Sequence, residues 1–409
     1  MINPPAMGIL KAPSSSLLYF IVFLLWLILT SGVQGGIAKD GGFRPRKLFV
    51  FGDSYASTGN NDISVRSWKV PYGITFPGVP TGRFSDGRVL TDFLAKYLGL
   101  KSPMAYRVRS IGSSKQLNYG MNFATGGAGI FDTIFPGRPN MTTQIDLFQQ
   151  LIEMKAPSTS SGLNSSLALV ALSGNDYSSY LAGNGSFTGS PIYISRVVNQ
   201  LAANLRRIYD LGVGKVVVSN LPPLGCLPSI TVSSAFQKCN STFDPLIVLH
   251  NTILQRALAK LNNETNDAFL LLDVHGSFRF FLLATVGKQI QIPQACSLPH
   301  HLCGYVYYCF NLISCIPECQ ARPGSSRITM SNFIYALSGI FKFENALKPC
   351  CLGVNNEFIC GSVDATTGNK MYTICSNPKK AFFWDTNHPT HEGWQEVFNI
   401  LKPSLQQMF

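Results

Sequence analysis

The sequence predicts an α/β fold: a parallel sheet covered by helices on both faces. Three observations carry this. Short apolar runs end at glycine or a polar residue, amphipathic stretches with helical spacing lie between them, and the chain is rich enough in apolar residues for a large core. Of 409 residues, 46% are apolar and only 13% charged. Brief, unalternating apolar runs read as strands buried on both faces. Strands that alternate with helices build a parallel sheet.

The first strand is residues 47–51, ending at Gly52, and the second is residues 167–172, ending at Ser173-Gly174. Residues 215–220 and 268–273 give two more. Between the second and third, Val197, Leu201, Leu205 and Ile208 fall on one helical face. Between the third and fourth, Leu246, Leu249, Ile253, Ala257 and Leu261 do the same, and a last helix carries Trp394, Val397, Phe398 and Leu401. Sites in such sheets form at the carboxyl ends of the strands.

Ahead of the first strand, Lys11 precedes an unbroken apolar run over residues 17–29. As a helix this run is about 20 Å long, against the ~30 Å of a bilayer core. Small residues follow at 31–36. The pattern predicts a secretory signal peptide over residues 1–35, one domain over 36–409, no transmembrane anchor after cleavage, and an extracellular destination. Five Asn-x-Ser/Thr sequons, at Asn140, Asn164, Asn184, Asn240 and Asn263, fit that route. Its oxidising environment lets cysteines pair. The 33 Lys+Arg against 21 Asp+Glu give +12, with no long basic run to track a phosphate backbone, so a nucleic-acid partner is excluded.

Each strand end carries polar residues. Phe51-Gly52-Asp53-Ser54 follows the first strand, where Ser54 could face the crevice or, with Asp53, simply cap the next helix. Gly174-Asn175-Asp176 follows the second and suits a donor amide or an ordinary loop. The glycine-rich residues 122–129 could bring N–H groups to a ligand, but they match neither a phosphate loop nor a dinucleotide fingerprint. No Gly-x-Ser-x-Gly elbow occurs. Near the end stands Trp384-Asp385-Thr386-Asn387-His388-Pro389. A serine hydroxyl needs a base to take its proton, and the base needs a carboxylate to fix its tautomer. Ser54, His388 and Asp385 supply that set; His391 is the alternative base, with a less obvious carboxylate partner.

These blocks, in this order, resemble the GDSL esterase/lipase family, the plant secreted branch of the SGNH hydrolase superfamily. Residues 49–54, Pro80-Thr81-Gly82-Arg83-Phe84-Ser85, Asn122-Phe123-Ala124, residues 221–228 and Phe383-Trp384-Asp385 all look like that branch. The resemblance covers about 45–284 and 342–402. It implies a flavodoxin-like three-layer α/β/α sandwich with a parallel central sheet. It also implies Ser54 as nucleophile, His388 as base, Asp385 orienting it, and an oxyanion hole of Ser54 N–H, Gly126 N–H and the Asn175 amide. The substrate would be a small-molecule or lipid ester, with no cofactor and no metal. Other readings are a polysaccharide acetyl-esterase, an acyltransferase with the same triad, and a non-catalytic secreted accessory protein. Ser57 stands where family members often carry Asp; the expected effect is on local loop bonding and not on the triad.

The match breaks at about 285–341, a segment carrying Cys296, Cys303, Cys309, Cys315 and Cys319 with His300 and His301. Irregular spacing with no Cys-x2-Cys pair excludes a zinc site. A disulfide lid is one reading; the favoured one is a translated intron. The other six of the 11 cysteines, Cys226, Cys239, Cys350, Cys351, Cys360 and Cys375, can pair completely, with Cys226–Cys239 the expected bridge.

Overall fold

The parallel sheet has six strands in the order β2-β3-β1-β4-β5-β6. The computed structural model describes residues 43–154, 162–286 and 342–409. In chain order the elements are β1 (Lys47–Gly52), α1 (Leu90–Tyr97), β2 (Met104–Ala105), β3 (Gly120–Asn122), α2 (Met141–Glu153) and β4 (Ser166–Ala171). Then come α3 (Asn175–Ala182), α4 (Ser190–Asp210), β5 (Lys215–Ser219), α5 (Asp244–Thr265), β6 (Phe269–Leu272) and α6 (Val274–Val286). A two-stranded antiparallel hairpin of β7 (Cys351–Gly353) and β8 (Tyr372–Ile374) precedes α7 (His391–Gln406).

Alternation along each strand makes the three layers, because successive side chains point to opposite faces. Leu48 and Val50 of β1, Leu167 and Leu169 of β4 and Val217 of β5 join one core, under α1, α6 and α7. Phe49, Phe51, Ala168, Val170, Val216 and Val218 join the other, under α2, α4 and α5. The sheet is parallel throughout and covered on both faces, as the apolar runs predict.

Two strands escape the sequence pattern. β2 and β3 are two and three residues long, too short to show a run. The buried face of α5 is also rotated from the expected stripe. Ile247, His250, Leu254 and Leu258 point inward, while Leu249, Ile253 and Ala257 pack partly buried at the flank. His250 breaks the apolar stripe yet lies inside, because the Tyr177 hydroxyl meets its Nδ1 at 2.5 Å. The α4 and α7 faces are buried as read.

Three disulfides join the six expected cysteines: Cys226–Cys239, Cys350–Cys375 and Cys351–Cys360. Two of them tie the β7–β8 hairpin. Residues 1–35, read above as a signal peptide, and, beyond its first two residues, the 285–341 segment lie outside the described residues.

Candidate active site

Ser54 sits at the carboxyl end of β1, flanked by β3 and β4. Gly52 makes the approach possible: its φ is +137°, and a Cβ there would meet the Ala171 carbonyl at 1.9 Å. The chain then turns at once, with Ala56 and Ser57 N–H groups donating to the Asp53 carbonyl. Ser57 is buried, and its hydroxyl accepts from Gly59 N–H within this loop.

His388 Nε2 lies 2.8 Å from Ser54 Oγ, although the two residues are 334 positions apart. On the other side of the ring, His388 Nδ1 is 2.7 Å from Asp385 Oδ1 and 2.9 Å from Oδ2. All three side chains are buried. The Asp385–His388 turn is held by its own backbone: Asn387 and His388 N–H groups both donate to Asp385 Oδ1, and Trp384 N–H donates to the His388 carbonyl. Behind it, Cys350 and Cys351 N–H groups donate to the Phe383 and Trp384 carbonyls, so the disulfide-bound hairpin backs the turn. Thr390 caps α7 directly after it.

Asp385 is surrounded by donors. Besides its own turn, Tyr72 O–H donates to Oδ2 at 2.7 Å and Arg66 Nη2 lies 3.6 Å from the same oxygen. Burial alone would raise the Asp385 pKa, but the charges of His388 and Arg66 and the hydrogen bonds outweigh it and hold the carboxyl well below its usual range. The Phe84 ring stacks on His388, with centroids 4.9 Å apart.

The glycine-rich stretch is anchored to its neighbours through its backbone N–H groups. Asp176 accepts from the N–H groups of Ile130 and Phe131, tying the stretch to α3. Gly126 lies so close to Phe84 that a Cβ would meet its Cε2 at 2.4 Å. Of the three expected oxyanion donors, only Ser54 N–H has no acceptor within the described residues. Gly126 N–H donates to Asn61 Oδ1 at 2.7 Å, and Asn61 Nδ2 returns a bond to the Gly126 carbonyl. Asn175 Nδ2 donates to Asp53 Oδ2 and to the Ala128 carbonyl. Both donors are therefore positioned near the crevice but engaged.

Asp53 is wholly buried, and burial pushes its pKa up to about 6 against hydrogen bonds from Ser173 and Tyr55 that lower it. The alternative base, His391, is directed elsewhere. Its Nδ1 accepts from Arg88 N–H, its own N–H donates to Asp86, and its ring packs edge-on to Phe93. Sequence reasoning gave no role to Asn61, Arg66, Tyr72 and Phe84. All four lie between β1 and α1, where no helical or strand periodicity marks a residue as facing anything. Among the described residues no His, Cys, Asp and Glu cluster could hold a metal.

A model of the family described as GDSL-like lipase/acylhydrolase matches residues 48–401. The GDSL esterase/lipase At5g03610 of Arabidopsis thaliana is 47% identical over 365 residues, covering 89% of this chain and 88% of that protein. A second Arabidopsis thaliana protein, GDSL esterase/lipase At3g09930, is 45% identical over 368 residues, 90% of each chain. A solved acetylxylan esterase from Geobacillus stearothermophilus aligns at 14% identity with a TM-score of 0.27, over 60% of this chain and 81% of that one, too slight a likeness to carry an argument. The family match and the two Arabidopsis relatives displace the reading as a non-catalytic accessory protein. The chain belongs to the GDSL-like lipase/acylhydrolase family and is a carboxylic ester hydrolase.

Proposed function

We propose that this hydrolase cleaves acyl esters through a Ser54–His388–Asp385 triad and an acyl-enzyme. The observation that carries the reading is the unbroken hydrogen-bonded path from Ser54 Oγ through the imidazole to Asp385. Ser54 Oγ attacks the ester carbonyl while His388 Nε2 takes its proton. The oxyanion forms against Ser54 N–H, with the Asn175 amide and Gly126 N–H exchanging their present acceptors for it. His388 then protonates the departing alcohol, and a water activated by the same nitrogen clears the acyl group. No step needs a metal or an organic cofactor. Activity falls at low pH, because a protonated imidazole cannot accept the serine proton.

The same reading places the mature protein, one domain over residues 36–409, outside the cell. It is supported by the leader-like residues 1–35, by three disulfides, and by four exposed sequon asparagines, Asn164, Asn184, Asn240 and Asn263. Asn140 is less available, since its side chain caps α2 and bonds Asp132. No helix among the described residues is long and apolar enough to cross a membrane.

The test compares wild type and Ser54→Ala on p-nitrophenyl acetate and butyrate, alongside labelling by a fluorophosphonate probe. The expected result is loss of both activity and labelling in a variant that melts like wild type. Full activity in Ser54→Ala would refute the assignment. A panel of esters of rising chain length then defines the acyl preference.

A further inference from the structure

Arg66 stands behind the proposed proton path and is not part of it. Its guanidinium lies 3.6 Å from Asp385 Oδ2, its side chain is 22% exposed, and it reaches within 5.9 Å of the Phe84 ring that covers His388. Tyr72 donates to the same carboxylate oxygen and is itself packed edge-on against Phe84 and Trp384. The other ionisable groups facing the pair are Tyr55, whose hydroxyl donates to the Asn387 carbonyl, and Asp53 on the far side of Ser54. Arg66 is therefore the one cation among these groups, set against two carboxyls and two neutral phenols.

We propose that Arg66 and Tyr72 are positioning residues for the Asp385–His388 pair, and that the charge of Arg66 sets how acidic a medium the esterase works in. This rests on the triad reading above. Tyr72 fixes the rotation of the carboxylate, so that Oδ1 and Oδ2 both face the imidazole. Arg66 acts by charge. Asp385 and Asp53 favour a protonated imidazole, which is inactive as a base. A guanidinium sharing Oδ2 with His388 Nδ1 stands within about 7 Å of that ring and opposes protonation. The charge of Arg66 therefore lets the esterase act in a more acidic medium.

The experiment records kcat/KM against pH on p-nitrophenyl butyrate for wild type, Arg66→Met, Arg66→Lys and Tyr72→Phe, with a melting curve for each. In Arg66→Met the acid limb should move to higher pH by about one unit. Arg66→Lys, which keeps the charge, should restore most of that displacement. Tyr72→Phe should lower kcat by about tenfold with KM little changed, and should move the limb less, because the group removed is neutral. If Arg66→Met does not fold, Arg66→Gln takes its place with the same expected displacement. An unmoved acid limb in a folded charge-removing variant overturns the proposal, as does an equal loss at every pH in Met and Lys variants alike. Ser54→Ala separates the two levels. If it is inert while the limb stays put, only the role of Arg66 fails; if it is active, the triad reading fails with it.

Discussion

Gln144 and Gly52, 92 positions apart, are joined by a two-way hydrogen bond. Gln144 Oε1 accepts from Gly52 N–H at 2.8 Å, and Nε2 donates to the Gly52 carbonyl at 2.9 Å. The side chain is fully buried on α2 and bonds the N–H and the carbonyl of the residue from which the chain turns toward Ser54; Thr125 N–H donates to the same carbonyl. Gln144→Leu fills similar space but leaves the Gly52 N–H buried without its acceptor, while the Gly52 carbonyl keeps the bond from Thr125 N–H. Stability should fall by about 1–3 kcal/mol, measured by urea denaturation, with kcat reduced in the protein that remains folded. A variant as stable as wild type would show that Gly52 holds its course without this clamp.

Asn175→Ala tests the proposed oxyanion role of the amide. Loss of one such donor typically costs about 10²–10³ in rate. The expected outcome is a kcat lower by that factor with KM changed by less than about threefold. Equal changes in kcat and KM would show that the amide serves ground-state binding.

Gly126 is held between Phe84 and Asn61. Gly126→Ala puts a methyl 2.4 Å from Phe84 Cε2 and 2.9 Å from Asn61 Oδ1, so the ring stacked on His388 must shift. Overpacking of this kind costs about 1–3 kcal/mol. Activity should fall more than tenfold while the melting temperature drops by only a few degrees. Fluorophosphonate labelling at the wild-type rate would argue that the ring moves without consequence.

His250 makes the fold sensitive to acid. Burial lowers its pKa to about 3 from an ordinary value near 6.5, so the native state holds it neutral where the unfolded chain takes up a proton. The stability this contributes is complete above about pH 6.5 and is lost progressively as pH falls toward 3. His250→Gln keeps an acceptor for Tyr177 but cannot titrate. It should be less stable than wild type at pH 7, yet lose less between pH 7 and 4.5 by urea denaturation. An unchanged loss would place the acid sensitivity elsewhere.

What the sequence revealed about the site was its strand ends. Ser54, Asn175, Asp385 and His388 sit in short polar blocks that interrupt apolar runs or open a helix, and such interruptions stand out against the pattern. The long loop between β1 and α1 has no comparable contrast. Tyr72, Arg66 and Asn61 matter through partners up to hundreds of positions away, and nothing local in a sequence encodes such a meeting. The same reason hid Gln144, which reads as an ordinary polar residue of an amphipathic helix. His250 shows the opposite error: an apolar stripe was drawn around a residue that a buried hydroxyl had made welcome inside.

The 334-position gap between Ser54 and His388 also orders events during synthesis. Under the proposed triad, a growing chain exposes its nucleophile almost at the outset and acquires its base only when nearly all of it has left the ribosome. Prematurely terminated products would carry the serine without any means of activating it. On that reading, hydrolytic activity is a certificate of completion, issued only to chains translated to the turn before the final helix.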